Sequence, residues 1–99
     1  MSDALVHESE YEVRSDLGLH ARPAGKFVAL ASRFESRISV GRGSEWVDGR
    51  SILSLLSLAA ARGAKLRIRA EGSDAVVAVE TLGRLLETPY RPEGSGASK

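Results

Sequence analysis

The stretch KLRIRAEGSDAVVAVETLGRLLE, residues 65–87, changes its hydrophobic period near the middle. Apolar and charged side chains alternate at its start, which puts Leu66, Ile68 and Ala70 on one face of a half-buried strand. After Ser73, a plausible N-cap, the apolar positions recur every three or four residues and predict an amphipathic helix. The predicted buried stripe of that helix consists of Ala75, Val76, Val79, Leu82, Gly83 and Leu86.

Three further strands are predicted upstream, each with the same alternation. EYEVR, residues 10–14, places Tyr11 and Val13 on one face, and RISVG, residues 37–41, alternates in the same way. A third short strand passes through Trp46–Val47 between two glycine-containing turns. Strands with one apolar and one polar face are typical of an antiparallel sheet that leaves one face exposed to water.

Two more helices complete the predicted order. The first begins at Ala21, and its buried stripe consists of Ala24, Phe27, Val28, Ala31 and Phe34. The second is SILSLLSLAAA, residues 51–61, and we expect it to end near Gly63. The resulting order, β-α-β-β-α-β-α, predicts an α+β fold in which helices cover one face of an antiparallel sheet.

Charged side chains on the outer faces suggest which strands are neighbours. Acidic residues line the outer face of the first strand: Glu8, Glu10 and Glu12. Basic residues line that of the KLRIRAE strand: Lys65, Arg67 and Arg69. Adjacent strands would let these charges pair, at about 0.2–1 kcal/mol for each pair. Two solvated faces that never meet are the alternative.

Composition bounds the classes of protein to consider. The chain of 99 residues has room for one domain, and its net charge of +1 argues against general nucleic-acid binding. It has no cysteine, so disulfides are excluded and a metal site is not expected from His7 and His20, which lie far apart in the sequence. No window approaches the ~20 apolar residues of a membrane span, and the N-terminus lacks the pattern of a signal peptide. We therefore expect a cytoplasmic protein with one domain over residues 1–88 and a flexible tail, rich in proline, glycine and serine, over residues 89–99.

The segment GLHARPAG, residues 18–25, carries the residues best suited to chemistry. Pro23 is tolerated in the first turn of a helix, which places His20 near the N-cap. The amides of the first turn and the guanidinium of Arg22 then form a site for an anion such as a phosphoryl group. A neutral imidazole is a competent nucleophile and needs no general base to attack phosphorus. A surface histidine or a weak cap is the alternative interpretation.

Two segments of the chain resemble one known family. GLHARPAGKFVALAS, residues 18–32, is similar to the active-site segment of HPr, the histidine-containing phosphocarrier family of the bacterial phosphoenolpyruvate-dependent sugar phosphotransferase system. DGRSILSLLSLAAARGAKLRIRAEG, residues 48–72, resembles the second signature of that family, its regulatory-serine region. The resemblance covers residues 10–87. It implies an open-faced β-sandwich, with a four-stranded antiparallel sheet covered on one side by three helices and with the first and last strands as neighbours.

The resemblance also implies a mechanism. His20 matches the histidine that accepts a phosphoryl group on Nδ1 from phospho-enzyme I and passes it to a histidine of an enzyme IIA. Arg22 matches the arginine that contacts the phosphate, with Ala21 and Pro23 beside it. The protein would be a phosphocarrier without a cofactor rather than an enzyme, and a monomer that does not insert into membranes. Gly25 stands where many relatives have alanine or a bulkier residue.

The resemblance of residues 48–72 to the second signature also implies a regulatory serine and a docking patch. Ser51 matches a serine that HPr kinase/phosphorylase modifies with ATP in many bacteria, and its position also suits an N-cap. Ile52, Leu53 and Leu56 fall where the family keeps an exposed apolar patch for partner docking. His7 is interpreted as a surface residue near a frayed end.

Three other interpretations of the function remain open. A regulatory paralogue, of the nitrogen type or signalling through Ser51, would use the same carrier chemistry without transporting sugar. A plain anion-binding or interaction module that has lost phosphotransfer is less compatible with His20 and Arg22 together. A self-sufficient enzyme would need a nucleotide-binding glycine loop or a paired carboxylate cleft, and neither pattern is present.

Overall fold

The computed structural model describes residues 5–89, and it shows the predicted order of elements. The strands and helices are β1 (Leu5–Glu12), α1 (Ala21–Ala31), β2 (Arg37–Arg42), β3 (Glu45–Asp48), α2 (Ile52–Ser57), β4 (Lys65–Gly72) and α3 (Ala75–Glu87). In the described part of the chain, no helix is long and apolar enough to cross a membrane.

The four strands form one antiparallel sheet in the order β1-β4-β2-β3. Ile38 of β2 and Leu66 and Ile68 of β4 are buried on the face that the helices cover. Phe27 of α1 and Leu82 of α3 are buried in the same core. The predicted α+β fold, an open-faced sandwich with three helices on one face, is therefore confirmed.

The predicted neighbourhood of the first strand and the KLRIRAE strand is also confirmed. In the register of β1 and β4, Glu8 lies opposite Arg69, Glu10 opposite Arg67, and Glu12 opposite Lys65. The side chains of Arg67 and Arg69 nevertheless contact groups other than these glutamates. Arg69 lies 3.4 Å from Glu71 on its own strand, and the guanidinium of Arg67 lies 4.5 Å from the centre of the Trp46 ring. The two charged rows face each other without forming the ion pairs that their spacing suggested.

β1 begins earlier than predicted, at Leu5, whereas the alternating stretch was placed from residue 10 and the outer acidic row from Glu8. His7 therefore lies inside the strand, opposite Ala70 and partly buried, and the prediction that it sits near a frayed end was wrong. The sequence hides this half of the strand because His7 and Ser9, which share the face of buried β4 residues, are polar.

α2 is shorter than predicted and ends at Ser57 rather than near Gly63. Ala59 has a φ of 52°, a left-handed conformation that the helix cannot continue through. The Arg42 side chain satisfies the carbonyl groups beyond the helix end, since its Nη1 donates to the oxygens of Leu58 at 2.7 Å and of Ala59 at 2.9 Å. A tertiary contact therefore ends a helix that the alanine-rich sequence would favour extending.

The start of α3 also differs from its prediction. Asp74, not Ser73, occupies the N-cap position, and its carboxylate accepts hydrogen bonds from the preceding α1–β2 connection instead of capping the helix. Ser36 Oγ donates to it at 2.5 Å, and this bond, followed by that of the Glu35 amide, lowers the pKa of Asp74. Val76, predicted to be buried, is 43% exposed, and Ala78 takes its place in the core. The predicted tail, apart from Pro89, lies outside the described residues.

Candidate functional site

The first turn of α1 brings together the residues predicted to hold a phosphoryl group. His20 occupies the N-cap position with extended φ and ψ of −95° and −170°, as predicted. The first intrahelical hydrogen bond runs from the Ala24 amide to the His20 carbonyl at 2.9 Å. The amides of Ala21 and Arg22 precede that bond and stand outside the hydrogen-bond ladder of the helix, while Pro23 has no N–H to contribute. Two backbone donors and the positive end of the helix dipole therefore lie next to the imidazole.

The imidazole of His20 is only partly buried as a whole side chain. Nε2 is buried in the protein, and the side chain makes no capping hydrogen bond to the helix. Arg22 and Ala21 are exposed, whereas Pro23 is buried and anchors the turn to the core.

A glycine in the loop before His20 allows close contact with the chain that follows α2. Gly18 has a φ of 75°, and a Cβ atom there would lie 2.4 Å from the Ala60 carbonyl oxygen. The next amide, of Leu19, donates to that same oxygen at 2.8 Å. These contacts set the position of His20, and they explain the glycine of GLHARPAG. The sequence signals the glycine but not its partner, Ala60.

Backbone hydrogen bonds also fix the start of the loop between β1 and α1, at Val13 and Arg14. The Val13 amide donates to the Ala64 oxygen at 2.9 Å, and the Gly63 amide donates to the Val13 oxygen at 2.7 Å. The Arg14 amide donates to the oxygen of Leu86, near the end of α3, at 3.0 Å. The segment that carries His20 is thus fixed by backbone bonds to two distant parts of the chain.

Ser51 caps α2, as its position predicted. Its Oγ accepts a hydrogen bond from the Ser54 amide at 3.1 Å, and its extended backbone is typical of an N-cap. Ser51 is partly exposed and does not belong to the first turn of α1. The two helices pack against each other, so the predicted regulatory residue lies in an element adjacent to the one that His20 caps.

The apolar residues predicted for docking divide into two groups. Leu53 is 79% exposed and Ile52 is 40% exposed, while Leu56 is partly buried against the core. Leu17, which the sequence analysis did not single out, is 65% exposed three residues before His20. An apolar residue in a glycine-containing loop is the signal that would have identified it.

Comparison with known proteins gives consistent matches over nearly the whole described chain. The profile of the family described as "PTS HPr component phosphorylation site" matches residues 7–88. The Phosphocarrier protein HPr of Pseudomonas aeruginosa is 39% identical over 82 residues, which cover 82% of this chain and 91% of that protein. The Multiphosphoryl transfer protein of Haemophilus influenzae is 37% identical over 79 residues, which cover 77% of this chain and 16% of that longer protein.

A solved structure extends the comparison to the fold. The crystal structure of a Phosphocarrier Protein HPr from Bacillus anthracis aligns with a TM-score of 0.80 and 35% identity, and covers 83% of this chain and 98% of its own. The family profile spans the chain from within β1 to the end of α3. These relatives are named as carriers of phosphoryl groups rather than as enzymes. The chain therefore belongs to the HPr family, the phosphocarriers of the phosphotransferase system.

Proposed function

We propose that His20 is the phosphoryl acceptor of this chain and that the phosphoryl group is carried on Nδ1. The observation that carries this proposal is the position of the imidazole at the N-cap of α1, with Nε2 buried and two backbone donors beside it. The lone pair of Nδ1 attacks phosphorus, the bond from phosphorus to the donor breaks, and the donor keeps that electron pair. No general base takes part, since a neutral imidazole has its lone pair available.

The surrounding groups act on the charge of the phosphoryl group. The amides of Ala21 and Arg22 and the helix dipole face the oxygens of a group bound to His20, and the Arg22 guanidinium supplies further donors. The same groups stabilise the charge that builds up during transfer, and they need not reorganise to do so. Arg22 and the first turn therefore serve both to hold the phosphoryl group and to release it.

The direction of transfer requires two protein partners. We propose that phospho-enzyme I, charged by phosphoenolpyruvate, supplies the phosphoryl group and that a histidine of an enzyme IIA receives it. The exposed side chains of Leu17, Ile52 and Leu53 supply apolar area for docking, with Leu56 contributing through its exposed part. A single carrier face that serves successive partners favours a monomer, and these partners favour a cytoplasmic location.

Ser51 offers a second point of control. We propose that phosphorylation of its hydroxyl by HPr kinase/phosphorylase weakens docking. A phosphate adds close to two negative charges beside Ile52 and Leu53, the exposed apolar side chains that follow it. Desolvating those charges against an apolar partner surface would oppose complex formation.

A regulatory paralogue would accept the phosphoryl group in the same way as a sugar carrier. The enzyme IIA that receives the group from this chain therefore distinguishes the two functions. Transfer of the phosphoryl group to a sugar-specific enzyme IIA supports the sugar branch. Transfer only to a nitrogen-type enzyme IIA would instead support the regulatory branch.

Intact mass spectrometry tests the acceptor assignment. The full chain is incubated with phosphoenolpyruvate and enzyme I, alongside His20→Ala and His7→Ala, a matched variant that removes the only other histidine. We expect one phosphate on the wild type and on His7→Ala, lost in acid and stable in base, and none on His20→Ala. Phosphate on His20→Ala, or none on the wild type with several sources of enzyme I, would contradict the proposal.

A further inference from the structure

A crevice of about 120 Å³ lies directly behind the segment that carries His20. The loop before His20, the first turn of α1 and the end of α3 enclose it. Its walls are mostly apolar and include Val13, Leu19, Pro23, Leu85 and Leu86. It opens to solvent beside Lys26 and Thr88, which are exposed.

One buried side-chain oxygen, that of Ser15, interrupts the apolar wall. Ser15 lines the crevice and is only 4% exposed, and its Oγ is buried without a hydrogen-bond partner among the described residues. Buried hydroxyl groups are nearly always hydrogen-bonded, because one that is left unpaired loses its hydration and gains nothing in return. The crevice therefore has apolar surface and one hydrogen-bonding group available to an occupant.

We propose that this crevice is a binding site for a small neutral aromatic molecule that carries one hydroxyl group, of the size of phenol. The volume is close to that of the ~150 Å³ apolar cavity that accommodates benzene. The apolar walls favour an uncharged ring, since an ion held against them would lose its hydration, and the one charged lining residue, Lys26, lies at the exposed mouth. The ligand hydroxyl and Ser15 Oγ supply one hydrogen bond, which orients the ring.

Occupancy of the crevice is coupled to the phosphate site by the chain itself. Leu19 and Pro23 line the crevice and stand immediately before His20 and immediately after Arg22. A bound ring contacts both ends of the segment that holds the phosphoryl group. We therefore expect phosphorylation to change the affinity for phenol, and by thermodynamic linkage phenol would shift the phosphorylation equilibrium by the same factor. This coupling rests on the proposed function, whereas binding to the unphosphorylated chain does not.

Titration of the full, unphosphorylated, isotope-labelled chain with phenol tests the site by amide NMR. We expect saturable shifts at Leu19, Leu85 and Leu86. Ser15→Ala should bind phenol about fivefold more weakly, the effect of losing one ordinary hydrogen bond. Ser44→Ala, in the exposed turn between β2 and β3, is the matched control and should bind like the wild type.

Two results would overturn the binding site. These are the absence of saturable shifts and shifts confined to another part of the molecule.

The coupling is tested on the chain after phosphorylation by enzyme I. A changed affinity for phenol supports it, and equal affinities for the two forms would overturn it. Failure of enzyme I to phosphorylate the chain would count against the proposed function alone, because phenol binding is measured without phosphate.

Discussion

Arg22 is exposed in the first turn of α1, two residues after His20, where its guanidinium can meet a phosphoryl group from solvent. Replacing it with alanine removes charge-assisted hydrogen bonds to the transferring group. We expect Arg22→Ala to slow phosphorylation by enzyme I by about tenfold to a hundredfold. Arg22→Lys should retain part of the rate, because an ammonium keeps the charge but not the planar fork of donors. The rate of phosphate incorporation under identical conditions measures both.

Arg33, which is exposed just beyond the end of α1, provides the control for net charge. Arg33→Ala changes the charge of the chain by the same amount and should leave the rate within about twofold of the wild type. An equal loss in the two variants would show that overall attraction to enzyme I, rather than contact with the phosphoryl group, explains the effect of Arg22.

Gly18 and Gly43 share a left-handed backbone but differ in their surroundings. A Cβ at Gly43 meets nothing within 4 Å, whereas one at Gly18 meets the Ala60 oxygen at 2.4 Å. Gly43→Ala should therefore lose only the conformational cost, about 1–2 kcal/mol of the free energy of unfolding. Gly18→Ala should lose more and should also slow phosphorylation, because the loop before His20 must move. Chemical denaturation compares the two, and equal losses would mean that the contact with Ala60 is unimportant.

At the scale of elements, Ser51 caps α2 and is also the proposed site of regulation. Loss of its hydrogen bond to the Ser54 amide should lower the free energy of unfolding of Ser51→Ala by about 1 kcal/mol. Aspartate is an equally good N-cap, so Ser51→Asp should keep the stability of the wild type. Its added charge beside Ile52 and Leu53 should nevertheless slow phosphorylation by enzyme I. Denaturation and rate measurements on both variants separate capping from regulation, and a slower rate in Ser51→Ala than in Ser51→Asp would contradict this assignment.

Asp74 ties the start of α3 to the connection between α1 and β2. Its lowered pKa means that the folded state favours the carboxylate, so its stabilisation is complete above the ordinary value of 3.8 and is lost as the pH falls through the lowered pKa. Asp74→Asn should be less stable than the wild type near neutral pH, and the difference should shrink in acid. Denaturation at a series of pH values tests this, and a difference that stays constant with pH would contradict it.

At the scale of the whole molecule, the phosphate site depends on distant parts of the chain. The motif GLHARPAG contains the proposed acceptor, but Ala60 holds its backbone in place, and Ala64 and Leu86 hold the segment just before it. Every residue has a backbone carbonyl oxygen, so the sequence does not identify the residues whose carbonyl groups accept these hydrogen bonds. The position of His20 at the N-cap could therefore be predicted from residues 18–25, and the backbone contacts that hold it there could not.

The fold shows the same division between local pattern and tertiary contact. Period and order identified all seven elements of the described chain, because each strand and helix has one apolar face. The early start of β1 was missed where polar His7 and Ser9 take positions on the helix-covered face. The early end of α2 depends on Arg42, and the exposure of Val76 follows from where α3 meets the sheet. Such features depend on neighbours that sequence periodicity does not identify.

The claim that His20 carries the phosphoryl group on Nδ1 is tested most directly by nitrogen and phosphorus NMR of the phosphorylated chain with labelled imidazoles. Phosphorus coupled to Nδ1 of His20, with His7 unchanged, is the predicted result. Phosphorus coupled to Nε2 would contradict the geometry inferred from the burial of that atom. Phosphate on any other residue would contradict the assignment of His20 itself.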